Sequence, residues 1–67
     1  MQLLSVNDIK LILKEAEKNQ LTIYYTNESD CGFGDIEIYL PNNKTLIITE
    51  VVVNCWQVKY KYEIIEG

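Results

Sequence analysis

The amino-acid sequence predicts an α+β fold in which one N-terminal helix packs on a small, mainly antiparallel sheet of four strands, in the chain order α-β-β-β-β. Two patterns lead to this fold class. Apolar residues recur at helical spacing up to Asn19, and β-branched and aromatic residues dominate from Leu21 onward. Because the chain has 67 residues and 48% of them are hydrophobic, we expect a single domain over residues 1–67.

The predicted helix begins at Val6 and ends near Asn19. Its apolar residues fall on one face: Val6, Ile9, Ile12, Leu13 and Ala16. Ser5 and Asp8 have the spacing of a shortened capping box, which marks the start. Asn19 adopts a left-handed conformation more cheaply than most residues, so we expect it to end the helix.

Four later segments have the composition of strands and are separated by turn or loop residues. They are Leu21 to Thr26, Asp35 to Leu40, Thr45 to Val53 and Trp56 to Ile65. The turn Pro41-Asn42-Asn43 predicts a hairpin of type I with Asn43 in the left-handed position. Its register pairs Ile38 with Leu46 and Ile36 with Ile48.

The strand from Thr45 to Val53 is apolar on both faces. Leu46, Ile48 and Val52 point to the side shared with Ile36, Ile38 and Leu40, whereas Ile47, Val51 and Val53 point to the opposite side. A tight turn at Asn54 and Cys55 pairs Val53 with Trp56, Val51 with Val58, Ile47 with Tyr62 and Glu50 with Lys59. One helix covers only one of these faces.

We therefore predict a homodimer, since a second copy of the chain is the simplest cover for the other face. The predicted contact contains Ile47, Val51, Val53, Trp56, Val58, Tyr60 and Tyr62. The alternative is a bulge near Thr49 and Glu50, which would merge both apolar sets into one core.

The charged and cysteine residues argue against catalysis and against metal or cofactor binding. Histidine and arginine are absent, and the net charge is −4. The acids Glu28, Asp30 and Asp35 lack the spacing of a calcium loop. Gly32-Phe33-Gly34 precedes a strand and lacks the lysine and helix of a phosphate loop. Cys31 has no neighbouring base to activate its thiol.

Trp56, Tyr60 and Tyr62 alternate with lysines, which is a pattern of single-strand nucleic-acid binding. Alternation along a strand places these aromatics and the lysines on opposite faces, and the negative net charge repels nucleic acid. We expect no nucleic-acid partner. No apolar run is long enough to span a membrane, so a membrane partner is not expected either.

Two cysteines, Cys31 and Cys55, are few for a secreted miniprotein. The start Met1-Gln2-Leu3-Leu4-Ser5 lacks the basic and long apolar regions of a signal peptide. The prediction is a cytoplasmic protein with both thiols free.

These exclusions favour a small non-enzymatic binding protein, an inhibitor or adaptor that occupies a surface of a larger protein. The candidate partner contacts are Leu11, Lys14, Glu28, Asp30 and Phe33. A composition rich in Ile, Asn and Lys is typical of AT-rich coding, as in low-GC bacteria and their phages, and suggests a phage-encoded inhibitor of a host or defence protein. The alternative is a protein that binds or sequesters a nucleotide-like small ligand through aromatics at an inter-subunit cleft.

Overall fold

A computed structural model describes residues 3–66 of the chain, which form one helix and a five-stranded antiparallel sheet. The elements are β1 (Leu4–Ser5), α1 (Val6–Lys18), β2 (Ile23–Asn27), β3 (Asp35–Leu40), β4 (Lys44–Asn54) and β5 (Gln57–Glu66). The strands lie in the order β1-β5-β4-β3-β2. The predicted α+β architecture is confirmed, with β1 as an additional strand that its two-residue length concealed.

Helix α1 begins as predicted, with a complete capping box. The Asp8 N–H donates to Ser5 Oγ at 3.1 Å, and the Ser5 N–H donates to Asp8 Oδ2 at 2.9 Å. The predicted end near Asn19 is confirmed, since the helix ends at Lys18 with Asn19 as its C-cap. The predicted left-handed conformation of Asn19 is wrong, because Gln20 (φ 59°) and not Asn19 (φ −91°) is left-handed. Asn19 instead prolongs the last turn by donating its backbone and side-chain N–H groups to the Glu15 carbonyl.

The core lies between α1 and one face of the sheet. Its buried apolar members are Ile9, Leu13, Ala16, Ile36, Ile38, Ile48, Val58 and Tyr60. The predicted β3–β4 register is confirmed, since Ile38 pairs with Leu46 and Ile36 with Ile48. The turn between them differs from the predicted type I form, because Asn42 is left-handed as well as Asn43, each with φ 64°.

The predicted β4–β5 register is wrong by one residue. Val58 pairs with Val52, and Tyr60 pairs with Glu50, because the turn residues are Cys55 and Trp56. Pairing is regular from Lys44 to Val52 and shifts only between Val52 and Asn54, so there is no bulge near Thr49. A one-residue shift exchanges the faces of every side chain in a strand. Val58 and Tyr60 therefore lie beneath α1.

The sheet surface opposite α1, the open face, still carries apolar side chains. Cross-strand pairing and strand alternation assign to it Tyr24, Asp35, Glu37, Tyr39, Thr45, Ile47, Thr49, Val51, Lys59, Lys61, Glu63 and Ile65. Tyr24 and Tyr39 pack edge to face there, with ring centroids 5.4 Å apart. The expectation of a two-faced apolar sheet is thus correct for β4, although the partners on β5 are different ones.

Among residues 3–66 no helix is both long and apolar enough to cross a membrane.

Candidate functional site

The turn between β4 and β5 carries the most exposed large apolar side chain of the described residues. We call residues Val52 to Gln57 the tip. Trp56 is 95% exposed and Val53 is 71% exposed. An indole in water is unfavourable unless a partner covers it, since large apolar groups gain free energy on leaving water. The tip is therefore the leading candidate for a contact surface.

Hydrogen bonds within the turn give the tip a defined backbone. The Trp56 N–H donates to the Asn54 side-chain oxygen at 2.8 Å, which is the geometry by which Asn stabilises tight turns. The Asn54 amide also reaches the Gln57 side chain at 3.5 Å. These contacts order the backbone that carries Trp56.

A disulfide between Cys31 and Cys55 attaches the tip to the loop 28–34. The two Cα atoms are 5.0 Å apart, within the range that a disulfide spans. The prediction of two free thiols is wrong, because the loop folds back over the end of the sheet and brings together cysteines separated by 24 positions. Spacing along the chain does not reveal such a contact.

Two polar side chains from the sheet hold the same loop from below. The Phe33 N–H donates to the Tyr60 hydroxyl, and the Gly34 N–H donates to Glu50 Oε2, each at 2.9 Å. The Tyr60 hydroxyl in turn donates to Glu50 Oε2 at 2.9 Å. The amides of Phe33 and Gly34 are thus engaged within the protein.

Burial and hydrogen bonding shift the pKa values of Glu50 and Tyr60. Burial raises the pKa of the Glu50 carboxyl, but hydrogen bonds from Ser29, the Gly34 amide and Tyr60 outweigh it, so the pKa lies below its ordinary value. Burial and the neighbouring Glu50 carboxylate raise the pKa of Tyr60, against the opposing hydrogen bond from the Phe33 amide. Glu50 is therefore an ionised acceptor and Tyr60 a neutral donor at neutral pH.

The glycines of the loop are required by its close approach to these groups. A Cβ atom on Gly32 would overlap Glu50 Oε2 and Tyr60 Oη. Gly34 has φ +77°, and a Cβ there would overlap the Asn27 carbonyl. Gly32-Phe33-Gly34 is thus a packing motif in this fold.

An open cleft of about 560 Å³ lies beside the tip. Its walls include Val53 and Trp56, the disulfide, and the start of α1 at Ser5 and Val6. Its size lies within the range of small-ligand pockets.

The predicted self-association residues separate into different environments. Val58 and Tyr60 are core residues, 7% and 0% exposed, so their assignment to an exposed contact is wrong. The reason is the one-residue register difference between β4 and β5. Tyr62 is 48% exposed but lies on the α1 side of β5, opposite Ile48.

The remaining predicted self-association residues occupy two surfaces. Ile47 and Val51 lie on the open face, whereas Val53 and Trp56 belong to the tip. Ile47 and Val51 are therefore on a different surface from Val53 and Trp56.

The predicted partner contacts are also divided. Glu28 and Asp30 are exposed on the loop, and the disulfide places their loop against the tip. Phe33 is half-buried and packs against the core. Leu11 and Lys14 are exposed on the helix and do not line the cleft beside the tip.

The Asp35 side chain forms hydrogen bonds within the fold. Its carboxylate accepts the Glu50 N–H at 2.9 Å and the Asn27 side-chain amide at 2.8 Å. Over residues 3–66 there is no group of three or more Cys, Asp or Glu side chains placed to hold a metal ion.

No known protein family, curated protein or solved structure matches this chain.

Proposed function

We propose that this chain is a non-enzymatic binding protein that inserts its tip into an apolar pocket of a larger protein. The observation that carries the proposal is the 95% exposure of Trp56 on a hydrogen-bonded turn. Tryptophan is the residue type most enriched among those that dominate the binding energy of protein interfaces. A single buried indole supplies a large share of the affinity available to so small a surface.

Preorganisation supports this role. The backbone of the tip is held by the Cys31–Cys55 bridge and by the Asn54 side chain, so little backbone freedom is lost when Trp56 enters a pocket. Binding surfaces that are already ordered avoid the entropic cost of ordering on association.

The charges beside the tip indicate the chemistry of the partner. Glu28 and Asp30 are exposed on the loop that the disulfide joins to the tip, and the whole chain has a net charge of −4. A pocket with an apolar floor and a rim of lysine or arginine is complementary to this arrangement.

Affinity capture with matched variants tests the proposal. The wild-type chain and Tyr25→Ala, which removes an aromatic side chain 55% exposed on β2, are expected to retain the same protein from host lysate. Trp56→Ala is expected to lose it. Retention of that protein by a folded Trp56→Ala variant would contradict the role of the tip.

A spectroscopic measurement then places the contact at the indole itself. Trp56 is the one tryptophan in the sequence, so incorporation of 5-fluorotryptophan gives a single fluorine resonance. Adding the captured protein in purified form is expected to shift and broaden this resonance. An unchanged resonance at saturating partner would show that Trp56 stays in water.

The cleft beside the tip favours a second candidate, binding of a planar nucleotide-like molecule against Trp56. Native mass spectrometry separates the two functions. A retained small molecule that Trp56→Ala loses would favour the ligand, whereas a bare mass of 7.8 kDa per chain favours the protein partner.

The predicted cytoplasmic location remains a prediction, and the disulfide is the observation that opposes it. Structural disulfides persist in oxidising compartments and are rare in a reducing cytoplasm. The hypothesis of a phage-encoded inhibitor of a host or defence protein is supported by amino-acid composition alone.

A further inference from the structure

We propose that a second copy of this chain covers the open face, with the strands of the two copies antiparallel across the interface. This inference is independent of the tip. Tyr39 and Ile65 on the open face are 44% and 39% exposed, and Ile47 and Val51 are half-buried. A sheet surface with this many apolar side chains in water is typical of an interface.

Charge is arranged along the open face in two adjacent zones. Glu37 and Glu63 flank Ile47 in one cross-strand row. The next rows toward the tip contain Lys61 opposite Thr49 and Lys59 opposite Val51. Asp35 also belongs to the side nearer the tip by strand alternation, with its carboxylate bonded to the Glu50 N–H and the Asn27 amide, and the two lysines outnumber it. The face is therefore net acidic on one side of its middle and net basic on the other.

Two copies can bring their open faces together about a twofold axis that runs either parallel or perpendicular to the strands. The charges of the two faces are complementary in only one of these packings. A twofold axis parallel to the strands would stack the acidic row on its own copy, which is repulsive. An axis perpendicular to the strands, between the rows of Glu63 and Lys61, places each acidic row over the basic row of the other copy. The same axis brings the row of Tyr39 and Ile65 over the row of Val51.

The size of the face is sufficient for a small specific interface. The five strands together contain 34 residues, which at a rise of about 3.3 Å and a strand spacing of about 4.8 Å cover about 540 Å². Two such faces bury about 1,100 Å², just above the roughly 1,000 Å² that a specific interface needs.

Charge exchange tests both the dimer and its orientation. Sedimentation equilibrium of the wild-type chain at micromolar concentration is expected to give twice the chain mass of 7.8 kDa. Lys61→Glu and Glu63→Lys are each expected to raise the dimer dissociation constant about tenfold, since each places like charges together. The double variant Lys61→Glu/Glu63→Lys restores complementarity and is expected to dimerise like the wild type.

The matched control is Lys14→Glu, the same change of charge on the exposed helix surface. It is expected to leave the dissociation constant unchanged, and circular dichroism confirms that each variant is folded. A wild-type monomer, a double variant as weak as the single ones, or an equal loss in Lys14→Glu would each overturn the proposal. Trp56→Ala is expected to dimerise normally, so a failure of the dimer proposal is distinguishable from a failure of the proposed partner binding by the tip.

Discussion

Glu50 and Tyr60 show how two polar side chains of the sheet position a loop. Each sits where the strand pattern would place an apolar residue, on the face that α1 covers. Their hydrogen bonds to the amides of Phe33 and Gly34 satisfy backbone groups that the loop has turned inward. These side chains therefore contribute to the shape of the site from beneath the loop.

Glu50→Gln is expected to lower the free energy of unfolding at neutral pH by about 1–2 kcal/mol, because hydrogen bonds to a charged acceptor are stronger than those to a neutral one. The contribution of Glu50 to the free energy of unfolding of the wild type depends on pH. The folded-state pKa of Glu50 lies below the ordinary value of 4.5, so this stability is present above pH 4.5 and is lost as the pH falls through the folded-state pKa.

Urea unfolding over a series of pH values measures this effect. The wild type is expected to lose stability relative to Glu50→Gln as the pH falls below 4.5. Glu17→Gln, at an exposed helix position, serves as the control and should follow the wild type. A constant difference between wild type and Glu50→Gln at all pH values would exclude a contribution from the ionised carboxylate.

At the scale of elements, α1 depends on its first turn for a defined start. Ser5→Ala removes the acceptor of the Asp8 N–H and is expected to cost about 1 kcal/mol of stability. Asn7→Ala, in the same turn but outside the capping box, should cost less. Thermal unfolding followed by circular dichroism compares the two, and equal melting temperatures for Ser5→Ala and wild type would show that the cap is dispensable.

The two long hairpins differ in how far their sequences determine the register. Between β3 and β4, Pro41 and two asparagines restrict the turn, and the apolar alternation of Ile36 and Ile38 leaves one register that buries both. Between β4 and β5, apolar residues occur at consecutive positions, so alternation fits two registers equally well. The tertiary contacts of Tyr60 with Glu50 and Phe33 select the observed one.

The candidate site was only partly predictable, because local sequence patterns identify residue types but not the tertiary contacts between segments. Trp56 and the acids Glu28 and Asp30 stand out by residue type, but the disulfide that joins their segments is a long-range contact. Local patterns carry no information about such contacts.

At the scale of the whole molecule, a chain of 67 residues has a small core and benefits from a covalent link. Closing a loop across 24 positions restricts the unfolded chain and is expected to stabilise the protein by about 3 kcal/mol. The double variant Cys31→Ser/Cys55→Ser should therefore unfold at a lower urea concentration than the oxidised wild type.

Wild-type protein kept reduced is the control and is expected to match the double variant. Identical unfolding of oxidised and reduced wild type would show that the bridge contributes nothing to stability.

The Cys31–Cys55 bridge also closes residues 31–55 into a covalent ring that contains β3 and β4. A protease that cuts the exposed Asn42–Asn43 turn opens this ring without separating the pieces. The nicked chain should run as one species on a non-reducing gel and as two fragments after reduction. A cut at Asn19 or Gln20, outside the ring, should release a fragment under either condition.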